Sequence, residues 1–489
     1  MRKTRAFTMS GSAGLALALG ACAIGPNFHK PAPPPVGAYT PQPLAAQTEA
    51  APGPGGAVEI FAPGRAVPAD WWTMFRSPPI NALVARGLAA SPDLAAAKAA
   101  LRGANEAYLA QRAVFFPTVA VGYSLAREKA NGTLATPLTD GENLFSLHTA
   151  TLTVAYQPDV FGGLRRQVET AAAQAQSQKF QTEAAYLTLT TDLVVAGINQ
   201  AALNEEVAAA RRWVVAAEGT LEILRRQQAM GQASGVDVAV AESALAQARA
   251  VLPPLEKALG AQIDQIAELT GRYPAEVQDP SPALDDIALP ADLPESLPSQ
   301  LVDQRPDILA AEANLHAASA QVGVAIAARL PQFTLTGQAG GVSTVFGAVL
   351  SSSNAFYTVA GNVAQTVFDG GALLHRQKQA EAALDQAKAQ YRATVLTAFE
   401  NVADVLQTVG ADGRAYAAAE AGEAAAKASL DLTRRQADLG QVADLAVLAT
   451  EQAYEQALIA RLQAQAARGM DAAALYQALG GGWRNRAKS

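Results

Sequence analysis

Cysteine is all but absent: the 489 residues contain one, Cys22. That excludes a disulfide framework and a cysteine-based zinc site. Histidine is nearly as scarce. His29, His148, His316 and His375 lie far apart and form no HxxxH or HExxH pair, so each is expected at a surface or in packing rather than on a metal. Charged residues make up only 17%, which excludes an extended charged disordered chain, and aromatic residues only 6%. Net charge is −7 with no basic stripe, which argues against nucleic acid as a partner. The chain has no P-loop, no GxSxG and no carboxylate pair clustered with histidine, so no catalytic chemistry is visible and no enzyme is expected. What is present in excess is alanine, about a fifth to a quarter of all residues. Alanine is the best helix former and has the smallest apolar side chain that still packs, so long, closely spaced helices are the first expectation.

The N-terminus has its own pattern. Arg2, Lys3 and Arg5 precede an apolar run at 13–19 that is too short to cross a bilayer, which takes ~20 residues. Residues 1–21 therefore read as a secretory signal peptide. The cleavage region Leu19-Gly20-Ala21-Cys22 resembles a bacterial lipobox, in which the cysteine is lipidated and becomes the mature N-terminus. Residue 23 is Ala, not Asp; by resemblance to bacterial lipoproteins this directs the chain to the outer membrane. Residues 26–68 hold many Pro, Gly and Ala, including Pro33-Pro34-Pro35, and offer no periodic apolar face. An extended tether followed by a partly ordered segment is expected there.

The remainder repeats itself. Pro92-Asp93-Leu94 recurs as Pro306-Asp307-Ile308, and Phe116-Pro117 recurs as Leu330-Pro331, both at an offset of 214. Val160-Phe161-Gly162-Gly163 recurs as Val367-Phe368-Asp369-Gly370-Gly371. Arg225-Arg226-Gln227 with Gly231-Gln232 recurs as Arg434-Arg435-Gln436 with Gly440-Gln441, at an offset of 209. The period is too long for a solenoid, so this is a two-fold tandem duplication. The organisation expected is a signal at 1–21, a tether and flanking segment at 22–91, a first repeat at 92–271, a linker at 272–305, a second repeat at 306–480 and a tail at 481–489.

Each copy reads as helix, two strands, long helix, turn, helix. Ser91 can cap the first helix, Pro92 is tolerated in its first turn and Pro117 ends it. Segments 118–126, 148–157, 333–341 and 355–366 alternate in Val, Thr and Tyr as two-sided strands should, near the ~9–11 residues of a tilted membrane strand. Four such strands cannot close a membrane barrel alone, because open edges are not tolerated in lipid. No proline interrupts 164–230, so one helix about 100 Å long at ~1.5 Å per residue is expected, with its counterpart at 372–438. Leu203, Val207, Ala210, Val214, Ala217, Leu221 and Leu224 form a heptad seam in the first; Val395, Ala398, Val402, Val405 and Val409 form a stripe in the second; both read as packing. The returning helix at 234–270 is expected to kink at Pro253-Pro254, and the proline-rich stretch 272–305 cannot be one helix.

On these residues the chain resembles the TolC-like outer-membrane efflux proteins, specifically the lipoprotein branch serving resistance-nodulation-division pumps. The resemblance rests on Cys22 with Gly25-Pro26 and Pro31; Trp71-Trp72 and Phe75; Ser91-Pro92-Asp93-Leu94; Phe116-Pro117; Arg305-Pro306-Asp307; Phe368-Asp369-Gly370-Gly371; and Leu479-Gly480-Gly481-Gly482-Trp483. It implies a mainly α fold with a small transmembrane β part. Three chains would each give four strands to a 12-stranded barrel, continued by a periplasmic α-helical coiled-coil barrel and wrapped by an equatorial region. It implies a passive duct for drugs or other small molecules, working with a periplasmic adaptor and an inner-membrane pump, with outer-membrane lipid around it. No cofactor is implied beyond the covalent lipid on Cys22. The resemblance makes the turns at Met230, Gly231, Gln232 and Leu439, Gly440, Gln441 the adaptor-docking periplasmic mouth. It makes Asp237 a gate residue. In the second copy the equivalent places are Ala446 and, for the family's arginine, Val442, so Asp438 and Asp444 are the substitutes, with Arg225, Arg226, Arg434 and Arg435 as candidate ion-pair partners. Two other readings remain: a protein-secretion duct of the same fold, and a structural coiled-coil lipoprotein without a pore, against which the strand pairs argue.

Overall fold

The computed structural model describes residues 23–43, 45–129, 143–277 and 280–486. In chain order the elements are β1 (Ile60–Pro63), α1 (Pro78–Ala90), α2 (Pro92–Arg112), β2 (Thr118–Lys129), β3 (Leu144–Tyr156), α3 (Gly163–Ala229), α4 (Gly235–Leu269), β4 (Asp292–Glu295), α5 (Pro298–Gln304), α6 (Pro306–Ala327), β5 (Gln332–Ser343), β6 (Ala355–Ala364), α7 (Ala372–Asp438) and α8 (Asp444–Ala478). The two longest helices, α3 and α7, have 67 residues each and lie where the proline-free runs put them. Both start on an aspartate cap. Asp159 accepts from the N–H groups of Leu164 and Arg165, and Asp369 from those of Gly371 and Leu373, all within 3.0 Å. The Ser91 hydroxyl accepts from the Leu94 N–H at 3.4 Å, as expected for the start of α2.

At Pro253-Pro254, where a kink is expected, α4 continues through both prolines as one helix. The carbonyls four residues back belong to Arg249 and Ala250, which are exposed, so water can replace the lost N–H donors.

The chain divides into two compact units. The first comprises the described residues up to Lys30 with 102–178 and 311–391. Its centre is an antiparallel sheet of order β2-β3-β5-β6. The register is continuous, so paired residues share a face. Val119↔Val154, Val121↔Leu152, Leu335↔Tyr156 and Phe333↔Val363 set one face. Ala120↔Thr153, Gly122↔Thr151, Ser124↔Thr149, Gln338↔Thr358 and Thr334↔Asn362 set the other. One face is thus aliphatic and aromatic, and the other is hydroxyl, amide and small.

Residues 23–30, within the stretch expected as a tether, are docked in this unit. Arg166, 4% exposed, donates to the carbonyls of Ile24 and Gly25 and to Asn27 Oδ1, and pairs with Glu169 at 2.7 Å. Ile24 N–H reaches the Phe161 carbonyl at 3.1 Å. Gly25 has φ +98° and its α-carbon position lies so close to Gly323 that a Cβ would stand 2.5 Å from the Gly323 Cα. His316 packs on Phe28, rings stacked at 4.4 Å, and meets Glu169 at 2.7 Å, a packing role of the kind expected for it.

The second unit comprises Pro31–Leu101, Lys179–Ala310 and the chain from Arg392 onward. Here too the N-terminal segment is tied down. β1 pairs in parallel with β4, Ile60 opposite Asp292. Arg468 and Glu59, both 1% exposed in their side chains, form an ion pair at 2.7 Å. Arg468 also donates to the carbonyls of Gly55 and Ala57, so a buried charge replaces the missing apolar face as the fastener. Trp71 is fully buried and stacks on Tyr476 at 5.1 Å. Arg305 pairs with Asp307 at 2.7 Å and donates to the Ala478 carbonyl at 2.9 Å, which fixes the Arg-Pro-Asp turn between α5 and α6. In the tail, Trp483 donates its indole N–H to the Gln304 carbonyl at 2.7 Å and packs edge-on against Phe180.

Candidate functional site

The two turns singled out in the sequence both belong to the second unit. Each has the same backbone. After α3, the Gly231 N–H bonds the Gln228 carbonyl at 2.9 Å and the Gln232 N–H the Gln227 carbonyl at 2.8 Å. After α7, Gly440 N–H bonds Ala437 and Gln441 N–H bonds Gln436, both at 2.8 Å. These are Schellman caps, which require a positive φ at the penultimate donor; Gly231 has φ 74° and Gly440 φ 71°. Met230 and Leu439 stand beside these glycines with 64% and 72% of their surface exposed. The turns thus present one apolar side chain each on a rigid backbone.

Asp237 has a local partner that was legible as a Ser-x-x-Asp pattern. Ser234 is the N-cap of α4; its hydroxyl accepts from the Asp237 N–H at 3.2 Å, and Asp237 accepts from the Ser234 hydroxyl and N–H at 2.8 Å each. The hydroxyl bond, then the backbone bond, hold the Asp237 carboxyl below the usual aspartate range. Asp438 is the last residue of α7 and Asp444 the first of α8, so they flank the second turn.

The arginines expected to neutralise these aspartates are engaged elsewhere. Arg225 pairs with Glu242 at 2.7 Å, Arg226 with Glu222 at 2.5 Å and Arg434 with Glu451 at 3.5 Å, while Arg435 donates to the Asp431 carbonyl. The reason is reach: a glutamate one turn away on the same helix, or opposite on the returning helix, is closer than a residue beyond the turn.

Cys22 lies outside the described residues. Its neighbour Ala23 sits against Gly162: a Cβ on Gly162 would stand 2.6 Å from the Ala23 Cα. That seat is six residues past the end of β3 at Tyr156, next to the sheet. Sequence reasoning missed Arg166 and Arg468, whose partners are distant in sequence, and the carboxyl pair Asp412–Asp471. Burial and the neighbouring Asp471 push Asp412 up to about 7.

A sheet with one apolar face and two open edges, joined to helices far longer than a globular core needs, defines a membrane channel subunit. No helix among the described residues is long and apolar enough to cross a membrane. The sheet is the part suited to lipid. The profile of the family described as outer membrane efflux protein matches residues 83–272 and 297–481, and the chain belongs to that family. It is 30% identical over 435 residues to the pyoverdine export outer membrane protein OpmQ of Pseudomonas aeruginosa, covering 87% of this chain and 90% of that one. It is 28% identical over 483 residues to the toluene efflux pump outer membrane protein TtgC of Pseudomonas putida, covering 96% and 94%. The outer-membrane channel OprN superposes with a TM-score of 0.80 at 26% identity over 95% of this chain and all of that one. The Campylobacter jejuni channel CmeC superposes at 0.82 with 20% identity, a likeness of fold. The protein is an efflux channel of the outer membrane, mainly α with a small transmembrane β part, as the resemblance implied.

Proposed function

We propose that three copies of this chain form a passive duct for small organic molecules, completed by a periplasmic adaptor and an inner-membrane resistance-nodulation-division pump. The carrying observation is the sheet. Four strands leave β2 and β6 unpaired at the edges, and one face is apolar. In lipid, edges must close, and three copies of four strands give a 12-stranded barrel. The polar face then lines the lumen, and no catalytic step is needed. The pyoverdine and toluene exporters among its relatives support small molecules over secreted proteins as cargo. Energy comes from the pump.

Cys22 carries the lipid that fixes the N-terminus to the membrane, a role supported by the docking of residues 23–27 beside the sheet. The turns at Met230–Gln232 and Leu439–Gln441 meet the adaptor. Asp237, Asp438 and Asp444 ring the periplasmic mouth, where carboxylates from three chains favour cations.

Heat-stable trimers on a gel together with ion conductance in planar bilayers test the duct; a monomer without conductance overturns it in favour of a non-pore lipoprotein. Cys22→Ala abolishes incorporation of labelled palmitate; persistent labelling overturns the lipidation. The triple variant Asp237→Ala, Asp438→Ala, Asp444→Ala has reduced cation preference and raised conductance. Unchanged reversal potential and conductance would mean that these aspartates neither select nor close.

A further inference from the structure

We infer that the outer rim of the sheet carries a binding site for a phosphorylated glycolipid, formed by Arg127 and Lys129. Across β2, β3, β5 and β6 the only Asp, Glu, Lys or Arg residues are Arg127, Glu128 and Lys129, consecutive at the end of β2. The pleat separates them by sign. Arg127 and Lys129 continue the row Val119, Val121, Tyr123 and Leu125, the apolar face. Glu128 points the other way, with Ser124 and Ala126. The apolar row from Val119 to Leu125 is about 20 Å long at ~3.3 Å per residue, and the two cations follow it directly.

Their place along the strand is set by connectivity. β2 leaves α2 at Thr118 and ends at Lys129, and β3 returns to α3. The cations are therefore at the end of the sheet away from the helices. With the helices in the periplasm and the apolar face toward lipid, as proposed above, this end lies in the outer leaflet. The residues beneath them suit an interface. Tyr123 OH meets His148 Nδ1 at 2.7 Å, and Phe346 stands edge-on to both rings at 5.9 and 5.8 Å. Such aromatic clusters sit at headgroup depth in membrane barrels. Arg127 Nη1 donates to Ser146 Oγ at 3.0 Å, which orients its guanidinium on this face.

Two exposed cations on a lipid-facing row, with no carboxylate from the four strands on that face, complement an anionic headgroup. Guanidinium and ammonium groups bind phosphate strongly, the first through paired N–H donors. The outer leaflet of a Gram-negative outer membrane is built from a glycolipid bearing phosphomonoesters, which is the partner of matching chemistry. A cation near an anionic lipid surface contributes roughly fivefold in affinity, so the pair contributes roughly 25-fold.

The test uses the full-length protein in nanodiscs containing lipid A, with bound lipid A counted by mass after transfer to detergent. The wild type retains lipid A. The Arg127→Gln, Lys129→Gln variant retains it roughly 25-fold more weakly, and Arg127→Lys, Lys129→Arg retains it as the wild type does. Lipid A stripped of its phosphates is not retained, and inorganic phosphate does not stabilise the protein as lipid A does. Equal retention by the wild type and the glutamine variant, retention of dephosphorylated lipid A, or equal stabilisation by inorganic phosphate overturns the site. If the double variant does not insert, Lys129→Gln alone is measured against the same outcomes. Conductance of the wild type is read in parallel, so that a failed channel reading is distinguished from a failed lipid site.

Discussion

At the first turn Ser234 and Asp237 close a capping box; at the second the corresponding residues are Ala443 and Ala446, and α8 starts without a side-chain cap. The contrast continues up the helices. Below the first turn, Ala217, Leu221, Val238, Ala241, Leu245 and Ala248 form a buried apolar cluster between α3 and α4. At the offset of 209, Ala241 and Leu245 become Thr450 and Tyr454, and neither is fully buried. The bridging ion pair lengthens from 2.7 Å at Arg225–Glu242 to 3.5 Å at Arg434–Glu451. The first hairpin is held by its own two helices. α8 is held by α7, where Arg461 pairs with Glu423 at 2.5 Å, and also by α3: Arg212 pairs with Glu455 at 2.8 Å and Gln452 donates to Thr220 at 3.1 Å. Duplication has kept the backbone of the turn and changed the contacts that hold it.

The largest effect tests the self-held hairpin. Leu245→Ala removes a buried side chain from the cluster and costs ~2–5 kcal/mol. Thermal melting of the trimer falls accordingly, whereas Tyr454→Ala, its second-copy counterpart, costs less. Equal losses at the two positions would erase the distinction.

Next is a pH effect from the carboxyl pair of the second copy. Asp412 and Asp471 replace Leu203 and Gln262 of the first, where Asn199 donates to Gln262 at 2.6 Å. Asp412, raised to about 7 by burial and by Asp471, with Arg468 opposing and Glu59 adding, is protonated in the folded protein while the unfolded chain ionises. The unfolded state then binds fewer protons, so stability falls as pH rises from about 4 to about 7 and is level above that. Asp412→Asn removes Asp412's share of this decline: its melting point matches that of the wild type at pH 4 and exceeds it at pH 8. Parallel melting curves across that range would mean that Asp412 titrates normally.

The smallest effect sharpens the comparison at the caps. Asp237→Ala opens one half of the capping box and loosens the first turn, seen as faster amide exchange at 235–238. Ala443→Ser with Ala446→Asp builds the missing box and slows exchange at 444–447 by the corresponding amount. No change on building it would mean that the second turn is held by contacts with neighbouring chains.

Helix extents were legible because proline and glycine act locally. The run between Gly163 and Pro253 fixed α3, and Gly231 and Gly440 fixed where the long helices stop. Strand alternation gave all four strands of the sheet, since period two survives any partner. What was not legible was set by distant partners. Arg468 meets Glu59 across 409 positions, and Arg166 meets Asn27 across 139, so the N-terminal stretch read as a tether when only its own composition was visible. Within one chain the turn arginines, candidate partners of the aspartates, meet glutamates on the facing or same helix.

The fastening of the N-terminal segment has a consequence for the order of events in export. A chain delivered across the inner membrane N-terminus first presents β1 long before β4, and Glu59 long before Arg468. One part of the receptor for the leading segment, α8, is thus the last helix to arrive. Until α8 has been translocated, Glu59 has no cation to meet and the docking of residues 31–68 stays incomplete. Closing loops this long is slow and leaves apolar surface and strand edges open meanwhile. The second unit is therefore committed to folding after delivery is complete, and the burden of keeping the early part from pairing with another molecule falls on the periplasm.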